Sequence, residues 1–208
     1  MAARRRTLVL GGVRSGKSSW AEQQLAGHAR VDYLATAAER DDADWARRID
    51  EHRERRPAHW RTVETLDVAA ALAAPAAPLL VDDLGNWLAR TIDRTGGWDG
   101  ELSGLRAAAA ELVSAWQDCP GRVVLVSAEV GSGIHPESRS GRIFADELGR
   151  LNTALAAQAD EVVLVVAGLP LWLRTPHEPP EQHESHAQPE RQQAERRQTP
   201  ERQSGERQ

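Results

Sequence analysis

Five short apolar runs punctuate the first 174 positions of the chain, at 7–10, 31–35, 79–82, 123–127 and 162–166. Each is nearly continuous rather than alternating, the pattern of a strand buried on both faces of a parallel sheet. The stretches 17–27, 42–55, 101–117 and 139–159 between them carry helical spacing. Strand and helix in alternation predict an α/β fold whose parallel strands are joined by right-handed crossovers. No internal repeat interrupts this order. From Thr175 the pattern stops: the last 34 residues hold seven Glu, five Arg, seven Gln and five Pro, with Ala187 and Ala194 as the only aliphatic side chains. Such a segment cannot bury enough apolar surface to offset its ordering entropy. The chain therefore divides into a domain over 1–174 and an expected disordered, charged tail over 175–208. A metal-binding reading of His177, His183 and His186 lacks any regular spacing.

Composition narrows the possible partners. The 26 Lys and Arg against 31 Asp and Glu give a net charge of −5, without the basic footprint of a nucleic-acid or anionic-membrane binder. One cysteine, Cys119, excludes an internal disulfide framework and a cysteine-built metal cluster, and suits a reducing cytoplasm. The run at 8–10 meets Gly11 and Gly12 too soon for a signal peptide. The longest apolar stretch, 68–81, is broken by Pro75 and Pro78 and falls short of the ~20 residues of a membrane span. A cytoplasmic protein is expected, with no nucleic acid partner and no membrane span. Of the 26 basic residues 25 are arginine, and the single lysine is Lys17.

That lysine lies in the most specific motif. Gly11, Gly12, Val13, Arg14, Ser15, Gly16, Lys17 and Ser18 match G-x-x-x-x-G-K-[ST], directly after the first strand and before a helical stretch. Glycines let backbone N–H groups wrap a phosphate, and the helix adds its positive N-terminal end. Lys17 would reach the β- and γ-phosphates, and Ser18 would ligate Mg²⁺. The bland alternative is a tight Gly-rich turn without ligand. A phosphate loop of this type needs an acid at the end of a neighbouring strand, and Asp82 closes the run 79–82. Asp82 and, more readily, Asp83 could instead begin a turn or cap a helix starting near Trp87.

A second dense region surrounds His52. Trp45, Ile49 and His52 share one helix face, Pro57 marks the helix end, and Arg53, Arg55 and Arg56 surround the imidazole. The arginines could clamp phosphate oxygens while a neutral imidazole acts as nucleophile or base. By itself the segment reads more readily as a solvated helix face, and His59 has the same ambiguity.

Together these residues resemble a known family, the bifunctional adenosylcobinamide kinase/adenosylcobinamide-phosphate guanylyltransferases of cobalamin biosynthesis. The resemblance rests on residues 11–18, 33–36, Arg48 to His52, 56–60, 126–134, 142–146, 149–152, Ala159 with Asp160, and 168–170, and covers about 7–174. It implies a RecA-like P-loop NTP-binding domain with a mostly parallel central sheet and flanking helices, closed by an antiparallel strand near 168–173. It implies catalytic roles for His52, as the nucleophile that carries GMP, and for Lys17. Nucleotide contacts are implied at residues 11–18, Ala35, Thr36, Ala37, Arg53, Glu54, Arg55, Arg56, Glu64 and Asp82, with Ser18 and Asp82 at the metal. The implied reaction phosphorylates adenosylcobinamide with ATP or GTP and then transfers GMP from GTP, giving adenosylcobinamide-GDP; trimers are also implied. A P-loop kinase of another small alcohol and a non-enzymatic nucleotide-dependent regulatory module are the alternatives. Departures from the family pattern are Ala128 for Asn, Asp83 for Cys, Gly85 for Thr, and His135 for a small apolar residue. They bear on corrinoid contacts rather than on His52 or the phosphate loop.

Overall fold

A computed structural model describes residues 4–36, 57–134 and 136–175. The expected helix at 42–55 and the tail from 176 onward lie outside them. The strands are β1 (Arg5–Gly11), β2 (Asp32–Ala35), β3 (Arg61–Glu64), β4 (Leu79–Asp82), β5 (Arg122–Ala128), β6 (Glu161–Val166) and β7 (Leu169–Arg174). The α-helices are α1 (Lys17–Leu25), α2 (Val68–Ala73), α3 (Leu84–Thr95), α4 (Ser103–Asp118) and α5 (Arg139–Gln158). All seven strands form one sheet in the order β3-β2-β4-β5-β1-β6-β7. Every pairing is parallel except β6 with β7, as the alternating pattern requires.

Leu8 and Val9 on β1 show how the core is divided. Neither is exposed, and they face opposite sides of the pleat. Leu8 joins Leu72, Leu84, Leu88, Leu112, Trp116 and Leu155 from α2 to α5. Val9 joins Trp20, Ala21 and Leu25 of α1 together with Tyr33, Leu80 and Val165. With helices on both sides, the central strands have no polar face, hence their unbroken apolar sequence.

Helices α2 and α3 and strand β3 are additional to the elements expected from the sequence. In α3 the buried residues Leu84, Leu88 and Thr91, with Trp87 and Ile92, recur at i, i+3, i+4, i+7 and i+8. Asp83 precedes them as N-cap, its Oδ1 accepting the Gly85 N–H at 2.7 Å, so the capping reading of this aspartate holds. Strand β3 is a mostly exposed edge. At the N-terminal ends of β1, β5 and β6, Arg5 and Arg122 surround the buried Glu161, whose Oε2 accepts the Thr7 hydroxyl at 2.6 Å. Arg6 pairs beside them with Asp160 at 2.9 Å.

Candidate functional site

The opposite, C-terminal edge of the sheet gathers the candidate chemistry. Gly11 ends β1 and the chain turns through Gly12 to Gly16 into α1. Only glycine fits at Gly11: a Cβ there would stand 2.8 Å from the Val165 carbonyl oxygen and 2.4 Å from Ser15 Oγ. Gly16 has φ +91°, which favours glycine. No side chain caps α1 among the described residues, so its first N–H groups are left to an anion. The loop is braced from behind by the β6–β7 turn, where the Gly168 N–H donates to the Ser15 carbonyl at 2.8 Å. Trp172 of β7 also meets Trp20 of α1 edge to face, with centroids 5.8 Å apart. Lys17 Nζ lies back over the loop, 3.5 Å from the Gly12 carbonyl oxygen. Val13 is exposed, and Arg14 has a positive φ of 57°.

Asp82 ends β4, which is not the immediate neighbour of β1: β5 lies between them. Helix α1 crosses above that gap, and the Ser18 hydroxyl donates to Asp82 Oδ1 at 3.0 Å. The other oxygen, Oδ2, accepts from the Tyr33 hydroxyl. Ala35 stands in register with Glu64 on one side and Asp82 on the other. Three residues implied as nucleotide contacts therefore form one row across the strand ends, and Glu64 is exposed. Thr36 is fully buried, and its hydroxyl is turned to the backbone of Asp83, donating to the carbonyl at 2.6 Å and accepting from the N–H at 3.0 Å. Its side chain thus braces the acidic pair. Burial, then the neighbouring Asp82 charge, raises the Asp83 carboxyl to about 6, against the pull of the Gly85 N–H and Lys17.

Ala37, His52, Arg53, Glu54, Arg55 and Arg56 lie outside the described residues. The described part of the site is the phosphate loop with Ser18, Asp82, Ala35, Thr36 and Glu64. Tyr33 and Gly168 fall in the stretches that carry the family resemblance, but their supporting roles were not read from the sequence. Tyr33 counts as one more apolar residue in a strand, although being the single tyrosine of the chain marks it. The Gly168 brace joins residues too far apart for any local pattern to show.

A phosphate-wrapping loop after a central strand, an uncapped helix behind it and a strand-end acid two strands away define a RecA-like P-loop nucleotide-binding domain. A solved structure described as a prototypical ATPase from the type III secretion system of pathogenic bacteria shares this fold. It has a TM-score of 0.50 at 15% identity, over 78% of this chain and 52% of its own. The chain belongs to the cobinamide kinase / cobinamide phosphate guanyltransferase family, which it matches over residues 7–173. It is 44% identical over 176 residues to the bifunctional adenosylcobalamin biosynthesis protein CobP of Pseudomonas aeruginosa, covering 81% of this chain and 97% of that one. With the bifunctional adenosylcobalamin biosynthesis protein CobU of Escherichia coli K12 the identity is 41% over 174 residues, covering 78% and 96%.

Proposed function

We propose that the chain phosphorylates the aminopropanol hydroxyl of adenosylcobinamide with ATP or GTP, then transfers GMP from GTP to the new phosphate to give adenosylcobinamide-GDP. The observation that carries this reading is the family match over residues 7–173; the 3.0 Å bond between Ser18 and Asp82, which joins the helix behind the phosphate loop to a strand-end acid, supports its triphosphate site. Loop N–H groups and Lys17 bind the triphosphate and offset charge developing on it during transfer. The Ala35–Glu64 row offers backbone and carboxylate acceptors to the nucleoside, and Thr36 fixes the strand end beside it.

Ser18 and Asp82 present a hydroxyl and a carboxylate side by side, hard oxygen donors that suit Mg²⁺. Among the described residues no three His, Cys, Asp or Glu side chains gather as a metal cage, which fits an ion completed by phosphates and water. Mg²⁺ held there by Ser18 and Asp82 would neutralise phosphate charge.

His52 is the proposed nucleophile of the second reaction. One imidazole nitrogen attacks the α-phosphorus of GTP; the P–N bond forms as the bond to the bridging oxygen breaks, and pyrophosphate leaves. The corrinoid phosphate then attacks the same phosphorus, forming the new P–O bond as the P–N bond breaks. Two in-line displacements replace one harder step. Arg53, Glu54, Arg55, Arg56 and Ala37 are proposed nucleotide contacts, and the proposed catalytic domain spans residues 1–174.

Self-association, as a trimer, has a suitable surface on the outermost strand. Leu169, Leu171 and Leu173 share one face of β7 and are 71%, 56% and 54% exposed, an apolar row of the kind that marks an interface. No described helix is long and apolar enough to cross a membrane, and a lone buried thiol at Cys119 fits the cytoplasm. Incubation with α-labelled GTP and Mg²⁺ tests the reading. The protein should gain one GMP, lost in acid and kept in base, and His52→Ala should gain none while still binding GTP. Normal labelling of His52→Ala would overturn the nucleophile assignment, and a kinase of another alcohol would take up no GMP at all.

A further inference from the structure

Asp82 is held by two hydroxyls, one on each carboxylate oxygen. Ser18 donates to Oδ1 and Tyr33 to Oδ2. Tyr33 comes from β2, the strand paired with β4, and stands opposite Leu80, two residues before the Ala35–Asp82 pair. Side chains two apart share a face, so the Tyr33 ring and the Asp82 carboxylate both point to the side of the sheet that α1 covers. The ring is fully buried among Val9, Trp20, Leu80 and Val124. Phenylalanine would fill that apolar volume as well; the hydroxyl adds a donor aimed at the strand-end acid.

A carboxylate touched on one oxygen alone can rotate about its Cβ–Cγ bond. Donors on both oxygens fix its plane, and a charged acceptor makes each of these bonds stronger than a neutral one. The Tyr33 bond uses the oxygen that Ser18 does not, so the two hydroxyls do not compete for one atom. We propose that Tyr33 is a positioning residue of the nucleotide site, its hydroxyl holding the Asp82 carboxylate in the orientation that meets Ser18 and the Mg²⁺ of the bound triphosphate. This rests on the assignment of Ser18 and Asp82 to the metal. Outer groups that orient a metal-binding carboxylate typically change metal affinity by about 10–100-fold when removed, and for a weakly held Mg²⁺ the lower figure applies.

Three full-length variants test it: Tyr33→Phe, Asp82→Asn and the pair combined. Each is titrated with Mg²⁺ at fixed GTP, reading the GTP-dependent rise in melting temperature, and GTP binding is measured separately in EDTA. Tyr33→Phe should raise the half-saturating Mg²⁺ concentration about 10-fold while leaving GTP affinity in EDTA unchanged. Combined with Asp82→Asn it should add nothing further, because it acts through that carboxylate. An unchanged Mg²⁺ requirement in Tyr33→Phe, with a raised one in Asp82→Asn, would overturn the role of Tyr33 and leave the metal assignment standing. An unchanged requirement in Asp82→Asn would overturn both. Equal loss of GTP affinity with and without Mg²⁺ in Tyr33→Phe would show a general packing defect and also overturn the proposal.

Discussion

Alanine at position 11 probes the phosphate loop where it has least room. Gly11 is in register with Ala128 on β5 and Val165 on β6, so its backbone is held from both sides. The Cβ of an alanine would meet Ser15 Oγ at 2.4 Å, Val165 O at 2.8 Å and Ser15 Cβ at 3.2 Å. The hydroxyl can swing aside. The carbonyl belongs to a strand paired on both edges and cannot, so the end of β1 must shift with the loop it launches. Overpacking of this kind costs about 1–3 kcal/mol. A domain of this size loses roughly 2–4 °C in melting temperature per kcal/mol, which gives a fall of roughly 2–12 °C. Gly12 is the internal control, since nothing lies within 4 Å of a Cβ placed there and its φ is not positive. Gly12→Ala should melt within about 2 °C of wild type, as open surface changes do. Circular dichroism melts without nucleotide measure both, and repeating them with GTP tests the site. Gly11→Ala should also reduce the GTP-dependent stabilisation, because the loop N–H groups that would wrap the phosphate move with the end of β1. Equal melting of wild type and Gly11→Ala, or equal loss in both glycine variants, would refute the steric argument.

Two further predictions concern charge. Lys17→Ala should slow both phosphoryl transfer and GMP uptake by about 10²–10³-fold, the usual loss of one preorganised contact to a transferring phosphate; wild-type rates in either assay would remove Lys17 from that role. At Glu161, burial works to raise the carboxyl, but hydrogen bonds from Arg5 and Thr7 and the charges of Arg5 and Arg122 outweigh it and hold it below its ordinary value of 4.5. Its stabilisation is therefore present above about pH 4.5 and lost as the pH falls through the folded value, so Glu161→Gln should flatten the acid limb of a stability-against-pH curve, and parallel curves would contradict this.

The central strands were legible because burial on both faces writes itself as unbroken apolar sequence, and β1, β2, β4, β5 and β6 fall on the expected runs. The phosphate loop was legible for a different reason, since its chemistry dictates residue types at fixed spacing. Helix α3 carries a regular apolar stripe, yet its first turn holds Gly85 and Asn86, poor helix formers that read as a turn soon after two aspartates. Strand β3 is exposed on nearly every residue, so no alternation marks it. Asp82 was expected at a strand end near the loop, but no local pattern reveals that β5 separates its strand from β1. The direction of the Tyr33 hydroxyl is likewise set by the pairing of β2 with β4.

The central position of β1 has a consequence for how the chain is made. Its two neighbours come from far along the sequence, with Thr7 and Glu161 separated by 154 positions, and the turn that braces the phosphate loop follows them at Gly168. At synthesis rates of about 5–20 residues per second, the first strand waits roughly 8–30 s for its second partner to be translated. The loop that defines the protein is among the first segments to leave the ribosome and among the last to reach its working shape. A nascent chain halted before β6 would carry the whole G-x-x-x-x-G-K-S motif and still have no finished pocket for a triphosphate, so nucleotide binding reports that the domain has been synthesised through to its final hairpin.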